Sequence, residues 1–303
     1  MKRKLSTFII ILIFIAGLSL LLYPTVSNYL KSIRYGAAIL DYQRIVQELE
    51  PEHYEEIMAR AEEYNKALAK REAILSLTEE EIEDYLTQIK LPGTDVMGYV
   101  VIPKINVSLP IYHGTSESVL QNGVGHLEGS SLPIGGTGTH AVLSGHRGLP
   151  SARLFTDIDR MKIGDTFQVR VRGEILLYEV DEIQVVLPHE VDFLQINPEE
   201  DYCTLLTCTP YGVNSHRLLI RGSRIPLPEN ESEDTVLIED VPLESGKIFG
   251  FRAEIVLLIT AGLGIVMISL FIIVLRRLVA GRAYEEDDEH EEEEEDDGSR
   301  HEP

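Results

Sequence analysis

Two cysteines, Cys203 and Cys208, share the β-rich stretch Tyr202–Thr209. Five extended residues span roughly 16 Å, whereas a disulfide needs Cα atoms within about 7 Å. An odd separation along a strand also turns the two side chains to opposite faces. A disulfide between them is therefore excluded, and at least one thiol is either an inert buried cysteine or a nucleophile. Thr204-Leu205-Leu206-Thr207-Cys208-Thr209-Pro210 sets Cys208 at the end of a strand, where Pro210 helps to stop pairing. Strand ends commonly present reactive groups. Turn residues Tyr211-Gly212-Val213-Asn214 follow, and Arg217 opens the next strand. Antiparallel pairing of these strands would bring a guanidinium beside the thiol, favouring the thiolate and offering a planar fork of donors to a developing oxyanion. His216 is adjacent to Arg217 and so faces the other side.

A thiolate that attacks a carbonyl also needs a proton donor for the leaving group. Seven histidines lie in the central part of the chain: His53, His113, His126, His140, His146, His189 and His216. His146 sits in Ser144-Gly145-His146-Arg147-Gly148, just after the strand His140–Ser144. Flanking glycines suit a loop that lets a ring reach a site. A loop histidine of this kind is also often merely exposed, so residue pattern alone leaves the acid/base open. The chemistry calls for no metal or other cofactor.

The elements that must position these residues fall into two parts. Residues 28–90 read as helical, with Ile57, Ala61, Tyr64 and Leu68 at helical spacing. Thr78-Glu79-Glu80-Glu81 has the form of a capping box opening a short helix, and Leu91-Pro92-Gly93 breaks the pattern. From Met97 the chain alternates. Strands are predicted at Gly98–Pro103, Ile105–Ile111, His140–Ser144, Thr166–Val171, Ile175–Val186, Tyr202–Thr207 and Arg217–Gly222, with one brief helical candidate near Ala152–Asp159. Short strands with frequent turns indicate a closed barrel or a sandwich. Arg224–Gly250 is polar, acidic and proline-containing, the composition of a linker.

Two uncharged runs, Leu5–Tyr23 and Ile255–Leu275, are each long enough to cross about 30 Å of hydrocarbon as a helix, and neither has a polar face. Lys2, Arg3 and Lys4 precede the first, and Arg276, Arg277 and Arg282 follow the second. By the positive-inside rule both termini are cytoplasmic and the middle of the chain is exported. A cleaved signal peptide is the alternative for the first run, with Thr25-Val26-Ser27 as a weak cleavage site. Net charge is −23, but Glu285–Asp297 alone holds 12 acids. Such a tail cannot bury a core and reads as solvated and cytoplasmic. No contiguous basic patch lies in the exported part, which leaves nucleic-acid binding without support.

At these residues the chain resembles a known family, the sortases. Thr204-Leu205-Leu206-Thr207-Cys208 matches their TLxTC signature, Arg217 follows at the expected distance, and Ser144-Gly145-His146-Arg147 matches their histidine segment. The match is closer to class C, the pilus-assembling sortases. Met97-Gly98-Tyr99, Ile102-Pro103-Lys104-Ile105, Leu109-Pro110-Ile111-Tyr112-His113-Gly114, Gly125-His126-Leu127-Glu128-Gly129, Leu154-Phe155-Thr156-Asp157 and Cys208-Thr209-Pro210-Tyr211-Gly212 all look like class C segments. The resemblance covers roughly residues 97–225. It implies a mainly β fold: an eight-stranded sortase barrel with N-terminal helices, flanked by two transmembrane helices. It implies Cys208 as nucleophile, His146 as acid/base and Arg217 as oxyanion or positioning residue, with His113 and His126 structural. Substrates would be pilins or surface proteins bearing an LPxTG-like signal, and the acceptor a pilin lysine. The alternatives are a wall-anchoring sortase using a peptidoglycan amine, a cysteine peptidase, and a non-catalytic barrel held in membrane lipid.

The domain plan that follows is an N-terminus and first span over 1–27, a helical or lid region over 28–96 and a barrel over 97–225. A linker over 226–252, a second span over 253–275 and an acidic tail over 276–303 complete it. One departure stands out. The Asp-Pro-aromatic anchor of the usual class C lid is missing, since no Asp-Pro dipeptide occurs in the chain. Leu91-Pro92-Gly93-Thr94-Asp95 reads as the first four positions of a sorting signal with Asp95 in place of glycine. Leu91, Pro92, Thr94 and Asp95 are therefore candidates for a pseudosubstrate folded over the site; the plainer alternative is a turn into the first strand.

Overall fold

The computed structural model describes residues 2–71, 75–228, 247–248, 251–252 and 269. The chain opens with one long helix, α1 (Lys2–Glu48). Its N-terminal part is apolar and exposed, long and apolar enough to cross a membrane by length and composition. Its C-terminal half packs on the protein. Tyr35, Ile39 and Tyr42 recur at helical spacing and are buried, and Ile39 and Tyr42 share an apolar cluster with Leu91, Val96, Tyr99 and Val101. Burial of each such side chain contributes about 2 kcal/mol. The backbone N–H of Arg172 donates to the Tyr42 hydroxyl (3.0 Å).

Helix α2 (Pro51–Leu68) has proline in its first turn and buries Ile57, Met58, Ala61, Asn65 and Leu68. Its Asn65 amide donates to Leu132 O (3.1 Å) and accepts from Leu132 N–H (2.7 Å), which ties the helix to a barrel loop. Helix α3 (Glu79–Tyr85) carries the capping box: Thr78 and Glu81 each satisfy the other's backbone N–H.

Eight strands follow: β1 (Val96–Ile102), β2 (Val107–His113), β3 (Val124–His126), β4 (Thr139–Ser144), β5 (Thr166–Val171), β6 (Glu174–Val186), β7 (Asp201–Thr209) and β8 (His216–Arg224). A one-turn helix, α4 (Glu117–Leu120), carries the chain from β2 to the parallel β3. The strands close in the order β1-β2-β3-β4-β7-β8-β6-β5, with β5 pairing β1. Closure removes the free edges that would otherwise template association. Inward residues such as Met97, Leu143, Phe167, Cys203, Leu205 and Ile220 form the core.

Periodicity did not reveal β3, because three residues with a central glycine are too short to show alternation. The helix predicted near Ala152–Asp159 is confined to a single 3-10 turn at Ile158–Arg160, and Leu154–Asp157 form turns instead. In a second compact unit, Gly246–Pro303, β9 (Lys247–Ile248) pairs antiparallel with β10 (Phe251–Arg252). Both fall in the stretch read as linker. The second apolar run, Ile255–Leu275, and the acidic tail lie outside the described residues apart from Ser269.

Candidate active site

Strand β7 alternates, so Cys203, Leu205 and Thr207 point inward while Leu206 and Cys208 lie on the outer face. Both cysteines are free. Cys203 is fully buried, and burial pushes its thiol well above the ordinary range, which keeps it neutral and inert. Cys208 is partly exposed at the strand end. The turn Pro210–Asn214 reverses the chain tightly. Val213 N–H and Asn214 N–H both donate to Pro210 O (3.0 Å each), and Gly212 and Asn214 take up positive φ. That turn sets the β7–β8 register so that Arg217 stands directly across from Cys208, and His216 across from Thr209. Residues directly opposite share one face of the sheet. Arg217 Nη1 donates to the carbonyls of Asn214 (3.3 Å) and His216 (3.1 Å). Among the described residues no carboxylate pairs with it, unlike Arg221 on the same strand, which binds Asp181 and Glu182. Arg217 is thus a cation held in place but not neutralised.

On its other side β7 pairs with parallel β4, Ser144 against Leu206. Gly145 N–H extends this ladder to Leu206 O (3.0 Å), and Thr207 Oγ1 donates to Gly145 O (2.7 Å). His146 follows directly on this ladder, at the end where Cys208 stands. Gly145 is required here because an added Cβ would lie 2.6 Å from the Phe155 ring. Gly148 is required because its φ of +85° favours glycine and Tyr211 leaves no room for a Cβ. Arg147 braces the same loop: it donates to Thr156 O (3.2 Å) and Thr209 Oγ1 (3.4 Å) and pairs with Asp159 (2.6 Å). His146 is partly buried, and its Nε2 lies 3.3 Å from Glu117 Oε2 on α4.

The three residues singled out for chemistry, Cys208, His146 and Arg217, come together at one strand end. The loop before β7 is clamped over the same outer face by His140. Gln195 O accepts from His140 Nδ1–H (2.9 Å), so Nε2 accepts from the Thr204 hydroxyl (2.7 Å). Burial pushes this imidazole down to about 4, keeping it neutral.

Leu91, Pro92, Thr94 and Asp95 are not brought to Cys208. Leu91 is buried against Ile39 and Tyr42, Pro92–Gly93 make a turn, and Thr94 Oγ1 accepts from Val96 N–H (3.1 Å). Because β1 runs in the same direction as β7, this segment enters at the opposite end of its strand from Cys208. A residue from earlier in the sequence lies on the outer face. Leu75, with φ +66°, packs with Leu206 and Phe193 against Val142, Leu194 and Leu219. Glu117 gave no sequence signal of its own, whereas His140 stood only among the histidines, and Thr207 and Arg147 only as neighbours of Cys208 and His146 in their segments.

The family model for the sortase domain matches residues 100–225. Sortase A of Streptococcus agalactiae serotype III is 30% identical over 125 residues, 40% of this chain and 50% of that protein. The chain thus spans about half the length of that curated relative. Among solved structures, sortase C1 of Streptococcus agalactiae is 52% identical with a TM-score of 0.61, covering 63% of this chain and 100% of that one. Sortase C of Streptococcus pneumoniae is 44% identical with a TM-score of 0.57, covering 62% and 96%. The chain belongs to the sortase family, within its class C group.

Proposed function

We propose that the protein is a membrane-anchored cysteine transpeptidase that joins pilin subunits. The observation that carries this is the juxtaposition of a partly exposed thiol, an unneutralised guanidinium directly across the sheet and a loop histidine on the neighbouring parallel strand. In this reading the Cys208 thiolate attacks the Thr carbonyl carbon of an LPxTG-like signal. Arg217 donates to the oxyanion that develops on the carbonyl oxygen. The Thr–Gly C–N bond breaks, the glycine amine leaves with a proton from His146, and a thioester remains. A lysine ε-amine of another subunit then attacks the thioester and gives up a proton to His146. Cys208 leaves as the thiolate, and an isopeptide bond has formed. The pilin acceptor is favoured by the likeness to Streptococcus pneumoniae sortase C, a structure described in terms of pilin substrate specificity.

Helix α1 would anchor the domain, with both termini cytoplasmic and the barrel outside. A wall-anchoring role would use the same three residues with a peptidoglycan amine. One assay separates these readings. A sorting-signal peptide is incubated with the protein and offered a pilin lysine peptide, a peptidoglycan-type amine or water alone. Isopeptide product with the lysine peptide is expected. Product only with the wall amine would assign wall anchoring, and hydrolysis alone would assign a peptidase.

A further inference from the structure

Glu117 opens α4 after Ser116, whose hydroxyl accepts from Val119 N–H (3.4 Å) and fixes the turn. Its carboxylate is engaged at both oxygens. Oε1 accepts from Gln121 Nε2 (2.8 Å), and Oε2 faces His146 Nε2 at 3.3 Å. Gln121 is held in turn, because its carbonyl accepts from Lys31 Nζ of α1 (2.5 Å). Glu117 is therefore oriented, although its side chain is 66% exposed. Gln121 and then His146 hold its carboxyl below the usual range, so it carries its charge. On the histidine side, Nε2 is buried and makes no aligned hydrogen bond. The 3.3 Å contact is thus a charge contact rather than an aligned hydrogen bond.

We propose that Glu117 is a positioning residue for His146: it holds Nε2 toward α4 and leaves Nδ1 to exchange protons with the thiol and the leaving amine. This rests on the transpeptidase reading of the site. The other charged groups around His146 are committed or positive. Arg147 pairs with Asp159, Asp157 pairs with Arg153 and Arg160, Lys31 stands behind α4, and Cys208 and Arg217 belong to β7 and β8. Among the described residues, Glu117 is the acid paired with the ring.

The test compares the full chain with its Glu117→Gln, Glu117→Asp and Gln121→Ala variants. Two readouts are taken: cleavage of a sorting-signal peptide and alkylation of Cys208 by iodoacetamide. An exposed pair is screened, so the effect is modest. Glu117→Gln should lower kcat about three- to fivefold and leave KM within about twofold. Alkylation of Cys208 at neutral pH should slow in the same sense. Glu117→Asp should recover part of the loss in both readouts, and Gln121→Ala should show a smaller loss. Unchanged kcat and alkylation in Glu117→Gln, or an equal loss in all three variants, would overturn the role. Alkylation needs no sorting signal, so it decides the role of Glu117 even if the wild-type protein cleaves no peptide, the outcome that would refute the transpeptidase reading instead.

Discussion

The strand end at Cys208 and the knot beneath α3 are built from similar materials and solve opposite problems. In the knot, Tyr85 lies between His113 and His126. Ser131 O accepts from His126 Nε2–H (2.8 Å), so His126 Nδ1 accepts from the Tyr85 hydroxyl (2.9 Å). The same hydroxyl accepts from Gly114 N–H (3.0 Å), and His113 Nε2–H donates to Gln88 O (2.7 Å). Burial pushes His126 down to about 4 and lowers His113 as well. The Tyr85 hydroxyl and both ring nitrogens of His126 are spoken for, so these rings hold structure. At the strand end the Cys208 thiol is free, and among the described residues Arg217 has no carboxylate. Polar groups left in need of a partner at an accessible edge are the ones free to meet a substrate.

The comparison breaks most directly at the nucleophile. Cys208→Ala should abolish acyl-enzyme formation, read as loss of the thioester adduct by mass spectrometry, since a methyl group cannot attack. Next come its partners. His146→Ala should lower kcat/KM by roughly 10²- to 10⁴-fold through loss of the proton donor. Arg217→Lys should lose about 10²-fold, since an ammonium cannot reproduce the planar fork. Turnover close to wild type in Arg217→Lys would reduce Arg217 to a simple charge.

The knot should respond in stability rather than in rate. Tyr85→Phe leaves His126 Nδ1 and Gly114 N–H without their partner and should cost about 1–3 kcal/mol in urea unfolding, with kcat within twofold. A large loss of kcat in a folded Tyr85→Phe protein would join the two regions functionally. The pH dependence of stability sharpens the contrast. His126 and His140 have folded values depressed to about 4. The unfolded chain binds protons near pH 6.5, so their contribution is intact above about 6.5 and is lost as pH falls toward 4. The midpoint of thermal unfolding should drop across that window, and less steeply in His126→Gln. The smallest effect is expected at Cys203→Ala, whose side chain faces the core: about 1–2 kcal/mol of stability and little change in rate.

The candidate reactive residues stand out in the sequence because each sits in a local pattern. Cys208 ends an alternating strand before proline, Arg217 opens the next strand after a turn of known residue types, and His146 stands between glycines. The capping box at Thr78–Glu81 was equally readable, because both of its partners lie within one turn. Strand β3 and helix α4 were not, since three or four residues carry too little periodicity.

By itself the sequence determined the barrel's main strands, the apolar first helix and the identity of a thiol free to react, because alternation, length and spacing are local properties. The tertiary structure decided which distant residues meet. Parallel pairing of β4 with β7 brings the His146 loop to Cys208 across sixty residues of chain, and α4 carries Glu117 to the ring. Leu91 goes into the core under α1, while Leu75 takes the outer face. Nothing in the letters of either segment separates them. Burial is settled by what the rest of the chain leaves uncovered, and only closure of the barrel establishes that.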